Sequence, residues 1–162
     1  MYGFEYQAAV NLLLAGKVEK GFELIRSIRF RHDGERRNPW NEMECGSNYA
    51  RSMAAYSILL AISGFEFDMT RGHIGFRPLL NETYFKTFWS VNDAWGTFER
   101  DADGAILAVL YGSLTLKSLR ADVTDFAKVV VDGTEIGFQV EGGRVLMSAP
   151  VLMCAGSTLS IR

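Results

Sequence analysis

Hydrophobic periodicity changes at Gly64, and with it the kind of structure each half of the chain can form. Before Gly64 the apolar residues follow helical spacing. Residues 4–14 are rich in helix formers and stop at Gly16, which suits the left-handed position after a helix end. Phe22, Ile25 and Ile28 continue the 3.6-residue period through residues 18–31, and the short link between the segments predicts an antiparallel helical hairpin. A third helix runs through Met53, Ala54, Tyr56, Ile58, Leu59, Leu60 and Ile62, with Ser47 or Asn48 available as its N-cap. It is apolar nearly all round, which predicts burial on most sides.

After Gly64 the chain breaks into short runs divided by glycine. Leu114 to Leu119 alternates strictly between apolar and polar residues. Val129-Val130-Val131, Asp132-Gly133 and Ile136 read as a hairpin, because Asp-Gly supplies the two positive φ angles of a type I′ turn. Gly142-Gly143 separates a further pair of strands, and residues 158–161 form the last one. The fold class expected is therefore α+β: N-terminal helices followed by an antiparallel β-sheet or small sandwich.

A chain of 162 residues can bury one substantial core or two smaller ones. Its net charge of −2 gives no electrostatic footing for nucleic acid. The longest charge-free stretch, residues 52–65, falls short of the ~20 apolar residues that a membrane span requires. Neither of the two cysteines, Cys45 and Cys154, sits in a CxxC pair, and with two histidines no zinc set forms. No cofactor or metal is expected. The N-terminal residues lack a basic, then apolar, leader pattern, so a cytoplasmic location with free thiols is expected.

The segment Arg37-Asn38-Pro39-Trp40-Asn41-Glu42-Met43-Glu44-Cys45-Gly46 is unusual for a connection between helices. Turns are ordinarily built from Gly, Asn, Asp, Ser and Pro, without a tryptophan and two carboxylates. Glu42 and Arg51 lie on either side of a helix start, where a carboxylate and a guanidinium can share one cavity. Such a pair recognises sugar hydroxyls, since the acid accepts hydrogen bonds and the guanidinium donates them; it is equally the composition of a structural ion pair. Trp40 can stack on a sugar ring or plug the loop onto the core. Glycoside hydrolysis needs two carboxyl groups ~5–9 Å apart across the bond, and Glu42 with Glu44 does not provide that arrangement. Asp101 and Asp103 read as solvated turn residues. His32 and His73 show no sequence-visible partner for base catalysis, and no Ser-His-Asp or Cys-His set stands out.

Several blocks in order carry a resemblance: Gly3-Phe4-Glu5-Tyr6-Gln7, Arg31-His32-Asp33-Gly34, residues 37–46 as quoted, and Tyr49-Ala50-Arg51-Ser52-Met53-Ala54. Ser63-Gly64-Phe65, Ile74-Gly75-Phe76 and Trp95-Gly96-Thr97-Phe98 continue it. Together they resemble the C-terminal end of the catalytic region of glycoside hydrolase family 116 β-glucosidases, related to non-lysosomal glucosylceramidase. The resemblance implies that residues 1–64 are a piece of an (α/α)6 toroid, with 65–98 a connecting segment and 99–162 an antiparallel β region. It implies a retaining mechanism whose glutamate nucleophile and aspartate acid/base lie upstream of the matched stretch, so that this chain holds no catalytic residue. It assigns Glu42 and Arg51 to glucose binding, with Trp40, Glu44 and His32 in support. A glucose or β-glucoside ligand is the expected partner. Surfaces that would meet neighbouring toroid helices also point to a homo-oligomer or to a missing upstream catalytic part. The other readings are a free-standing carbohydrate-binding or assembly module, and a subunit of a split glycosidase.

Overall fold

The computed structural model describes residues 2–38, 52–80 and 83–162, which fall into two compact units, 1–62 and 63–162. The helical unit contains α1 (Tyr2–Leu14), α2 (Val18–Arg31) and most of α3 (Ser52–Ser63). As the sequence predicts, α1 ends at Gly16, whose φ is +73°, with the Lys17 amide bonded back to the Leu12 carbonyl at 2.8 Å. The two helices run antiparallel: Leu13 near the end of α1 packs on Gly21 near the start of α2, while Arg31 at the end of α2 pairs with Glu5 at the start of α1. Tyr6 and Ile28 form a small core with Leu24, Ile25, Ala54, Ala55 and Ile58 around them.

Burial of α3 is less complete than its composition predicts. Ala61 and Ser63 are buried, but Tyr56 is 54% and Leu60 45% exposed. An all-apolar helix needs partners on every side, and the neighbouring helices cover only part of this one. The N-cap expected at Ser47 or Asn48 lies outside the described residues.

Strands begin at Glu66, not at residue 99. The segment 65–98, expected as a connection, contributes β1 (Glu66–Asp68), β2 (His73–Gly75), β3 (Phe85–Ser90) and β4 (Ala94–Asp101). β5 (Gly104–Arg120), β6 (Val129–Val131), β7 (Thr134–Ile136), β8 (Phe138–Glu141), β9 (Arg144–Cys154) and β10 (Thr158–Ile161) follow. One sheet has the order β3-β4-β5-β10-β6-β7 and the other β1-β2-β5-β9-β8, so the 17-residue β5 belongs to both. All pairings are antiparallel except β2 with β5, which is parallel and departs from the purely antiparallel expectation. The predicted two-residue turn joins β6 to β7, with φ of +48° at Asp132 and +82° at Gly133.

A bulge explains how β5 serves two sheets. Trp95 pairs with Tyr111 but Gly96 with Val109, which leaves Leu110 as an extra residue and reverses which side chains face inward. Before the bulge Ala105, Leu107 and Val109 are buried; after it Leu114 and Leu116 are, until a second shift between Leu116 and Ser118 brings Leu119 inward. The inner faces meet where Phe76, just past β2, stacks on Phe98 of β4 with ring centroids 4.0 Å apart. Trp89, Leu119, Met153, Leu159 and Ile161 complete that core.

Candidate functional site

Of the residues assigned to sugar binding, Trp40, Glu42, Glu44 and Arg51 lie outside the described residues, and His32 lies within them. His32 follows α2 and is 8% exposed. Its Nδ1 is 3.1 Å from the Ile28 carbonyl oxygen, so that nitrogen carries the proton and donates. Asp33 then turns the chain: its Oδ1 accepts from the Glu35 amide at 3.1 Å and the Arg36 amide at 2.9 Å, and its carboxylate pairs with the Arg36 side chain. The Arg36 amide, with smaller contributions from the Glu35 amide and the Arg36 guanidinium, holds the Asp33 carboxyl below its ordinary range against a small opposing effect of burial. Arg36 in turn lies over the Phe30 ring at 4.0 Å. The end of α2 is thus fixed by local bonds ahead of the sequence segment that contains Trp40 and Glu42.

The β unit gathers a polar cluster that the sequence does not disclose. β2 and β5 place His73 beside Ser118, and β1 places Glu66 on the other side of the imidazole. Ser118 Oγ lies 2.8 Å from His73 Nδ1, and His73 Nε2 lies 3.1 Å from Glu66 Oε1. A carboxylate only accepts, so Nε2 donates to Glu66, while Nδ1 pairs with the serine hydroxyl. Arg120 Nη1 reaches the same carboxylate oxygen at 3.4 Å and Arg144 Nη2 at 3.7 Å, while Arg120 Nη2 bonds the Gly142 carbonyl at 2.9 Å. Burial raises the Glu66 pKa, but the His73 hydrogen bond and the charges of Arg120, His73 and Arg144 together outweigh it and hold the carboxyl below its usual value.

His73 therefore has the partners that sequence reasoning could not find for it. Ser118 lies 45 positions after His73, and only strand pairing brings it to the imidazole. The arrangement differs from a nucleophilic triad. Ser118 and His73 are buried on the face of the sheet opposite Ile74 and Leu119, and two guanidiniums already engage the acid. Its chemistry is that of a clamp holding the short β1 against β2, β5 and the β8–β9 turn.

The outer face of β3, β4 and β5 is different in kind. Phe88, Trp95 and Tyr111 stand there in a row, with centroids 6.3 Å apart for the first pair and 6.1 Å for the second. The Trp95 and Tyr111 planes lie within 15° of parallel. One register step beyond that pair, Ala94 faces Gly112, and the Ser113 amide then reaches the Asp93 carbonyl at 3.4 Å. There an open cleft of about 300 Å³ begins, lined by Met69, Val91, Asn92, Asp93, Ser113, Leu114 and Thr115. A second, acidic cleft of about 200 Å³ includes Glu99, Asp101 and Asp103. Its carboxylates are engaged locally: Glu99 by Lys86 at 2.9 Å, and Asp101 by the Asp103 amide at 2.8 Å, the turn role expected of them.

Among the described residues no three His, Cys, Asp or Glu side chains converge as metal ligands, and no helix is long and apolar enough to cross a membrane. No protein-family model matches the chain, and no characterised protein matches it.

Proposed function

We propose that this chain is the glucose-contacting end of a retaining, glucosylceramidase-like β-glucosidase of glycoside hydrolase family 116. In this reading Glu42 and Arg51 bind the sugar hydroxyls, with Trp40, Glu44 and His32 in support. The catalytic carboxylates are not among its residues, so the chain by itself does not turn over substrate. The observation that carries the reading is the ordered run of sequence blocks from Gly3 to Phe98, which includes both members of the sugar-binding pair. The helical hairpin before the loop and the helix that begins one residue after Arg51 support it, because they bracket the loop with rigid elements.

The exposed apolar side chains of the helical unit (Phe4, Leu14, Phe30, Tyr56 and Leu60) support a companion proposal. A second copy, or the remainder of such an enzyme, covers them in the working assembly. A cytoplasmic setting accords with the same reading.

Calorimetric titration with glucose and with a glucose-like iminosugar tests the subsite. The expected result is binding that disappears in Arg51→Ala; affinity unchanged by that substitution removes the assignment. Hydrolysis of an aryl β-glucoside by the purified chain, abolished in Glu42→Gln, overturns the claim of inactivity. The row of exposed aromatic rings on the β unit favours a second reading, a carbohydrate-binding module.

A further inference from the structure

We infer that the outer face of β3, β4 and β5 is a glycan-binding groove, in which Phe88, Trp95 and Tyr111 stack on the sugar rings of a neutral β-glucan chain. The adjoining cleft takes the hydroxyls of one further sugar. This goes beyond the glucose subsite proposed at Glu42 and Arg51, and none of its residues belongs to that subsite.

Three observations converge on it. First, the rings are exposed side by side: Phe88 is 43%, Trp95 41% and Tyr111 63% accessible. Sheets usually put such residues inward, and here the fold uses irregular backbone to turn one of them out. Leu110 is the extra residue of the β4–β5 bulge, and it shifts Tyr111 to the outer face directly opposite Trp95. The next residue, Gly112, has a φ of +73°, and a Cβ there would overlap the Asp93 carbonyl oxygen. A side chain larger than hydrogen at that position would prevent the arrangement.

Second, the spacing suits a chain of rings. The aromatic neighbours repeat at 6.3 and 6.1 Å, on the scale of one pyranose, with Trp95 and Tyr111 near parallel and Phe88 tilted 47° to Trp95, which suits a twisted chain. The C–H-rich face of a pyranose packs on an aromatic ring, where it buries apolar area while its hydroxyls stay at the rim.

Third, the row leads into polar groups of the right kind. Asn92, Asp93, Ser113 and Thr115 line the cleft at its end, and Asn92 Nδ2 orients Asp93 Oδ1 at 2.8 Å. Amide, carboxylate and hydroxyl groups offer both donors and acceptors to a polyol. Among the described residues no lysine or arginine lines the cleft, and Asp93 repels phosphate, so charge disfavours a nucleotide or a phospholipid headgroup. A purely apolar partner would leave those polar groups unpaired on docking.

Cellotetraose titrated into the full chain tests the inference, followed by calorimetry and by tryptophan fluorescence, since Trp95 is exposed while Trp89 is buried. Saturable binding with a change in tryptophan emission is expected. It should weaken about tenfold in Trp95→Ala and in Tyr111→Ala. Circular dichroism of the same variants verifies folding; a Phe88→Ala variant replaces any that unfolds. No saturable binding at millimolar sugar, or binding indifferent to Trp95, Tyr111 and Phe88, overturns the groove. Sugar binding lost only in Arg51→Ala overturns it while supporting the separate subsite. A change of oligomeric state in Trp95→Ala without any sugar binding overturns it in favour of a protein interface.

Discussion

Glu66 shows how one side chain ties distant strands together. Its Oε1 receives His73, Arg120 and Arg144 from β2, β5 and β9. Because its pKa is depressed in the folded chain, its contribution to stability is complete above the unfolded carboxyl value. That contribution is lost as pH falls through the lower, folded value. The stability difference between the native chain and Glu66→Gln, read by urea unfolding, should therefore be constant near neutrality and shrink below about pH 4.3. A difference that persists unchanged into stronger acid would show that the carboxylate is not the source. Gly96 is a steric counterpart. A Cβ at this position in β4 would overlap the Ala108 carbonyl oxygen and press on Trp89 at 2.9 Å. Gly96→Ala should cost about 3 kcal/mol, visible as a lower unfolding midpoint. Neither role is written in the local sequence: His73 and Ser118 are separated by 45 positions, and Gly96 reads there as a motif glycine.

At the scale of elements, the α1–α2 hairpin depends on one close approach. Leu13 is fully buried, and a Cβ built on Gly21 would lie 2.7 Å from Leu13 Cδ2. Leu13→Ala removes that packing and should destabilise the helical unit by about 3 kcal/mol, measured by the thermal loss of helical circular dichroism. This hairpin, its Gly16 terminus and the Asp132-Gly133 turn were all legible from sequence, because each follows from spacing or from a residue suited to positive φ. β2 was not. Its residues, His73-Ile74-Gly75, are all buried and show no alternation, so a period-2 pattern had nothing to register. β3 does alternate, but β3 and β4 fell within a stretch that the family resemblance presented as a connection.

For the whole molecule, the helical unit exposes several large apolar side chains: Phe4 64%, Leu14 67%, Phe30 62%, Tyr56 54% and Leu60 45%. Where such side chains adjoin they form patches that soluble monomers seldom carry. Light scattering at high micromolar concentration should give the mass of two chains, through a symmetric contact of the helical face. The paired substitution of Tyr56 and Leu60 by glutamate should shift it to the mass of one. A monomeric native chain at that concentration would sink the prediction.

Hydrophobic period, glycine placement and turn chemistry act between near neighbours. By themselves they determined the helices α1, α2 and α3, the change to β structure after Gly64, and the type of turn between β6 and β7. The tertiary structure alone decided what depends on contacts between distant residues. It joined β2 to β5 in parallel, turned β5 between two sheets at the extra residue Leu110, and surrounded Glu66 with an imidazole and two guanidiniums from three strands. The same bulge set Tyr111 beside Trp95 on the outer face. One inserted residue reverses the facing of the side chains that follow it, here as far as the second shift after Leu116, and that reversal is invisible until the partner strand fixes the register.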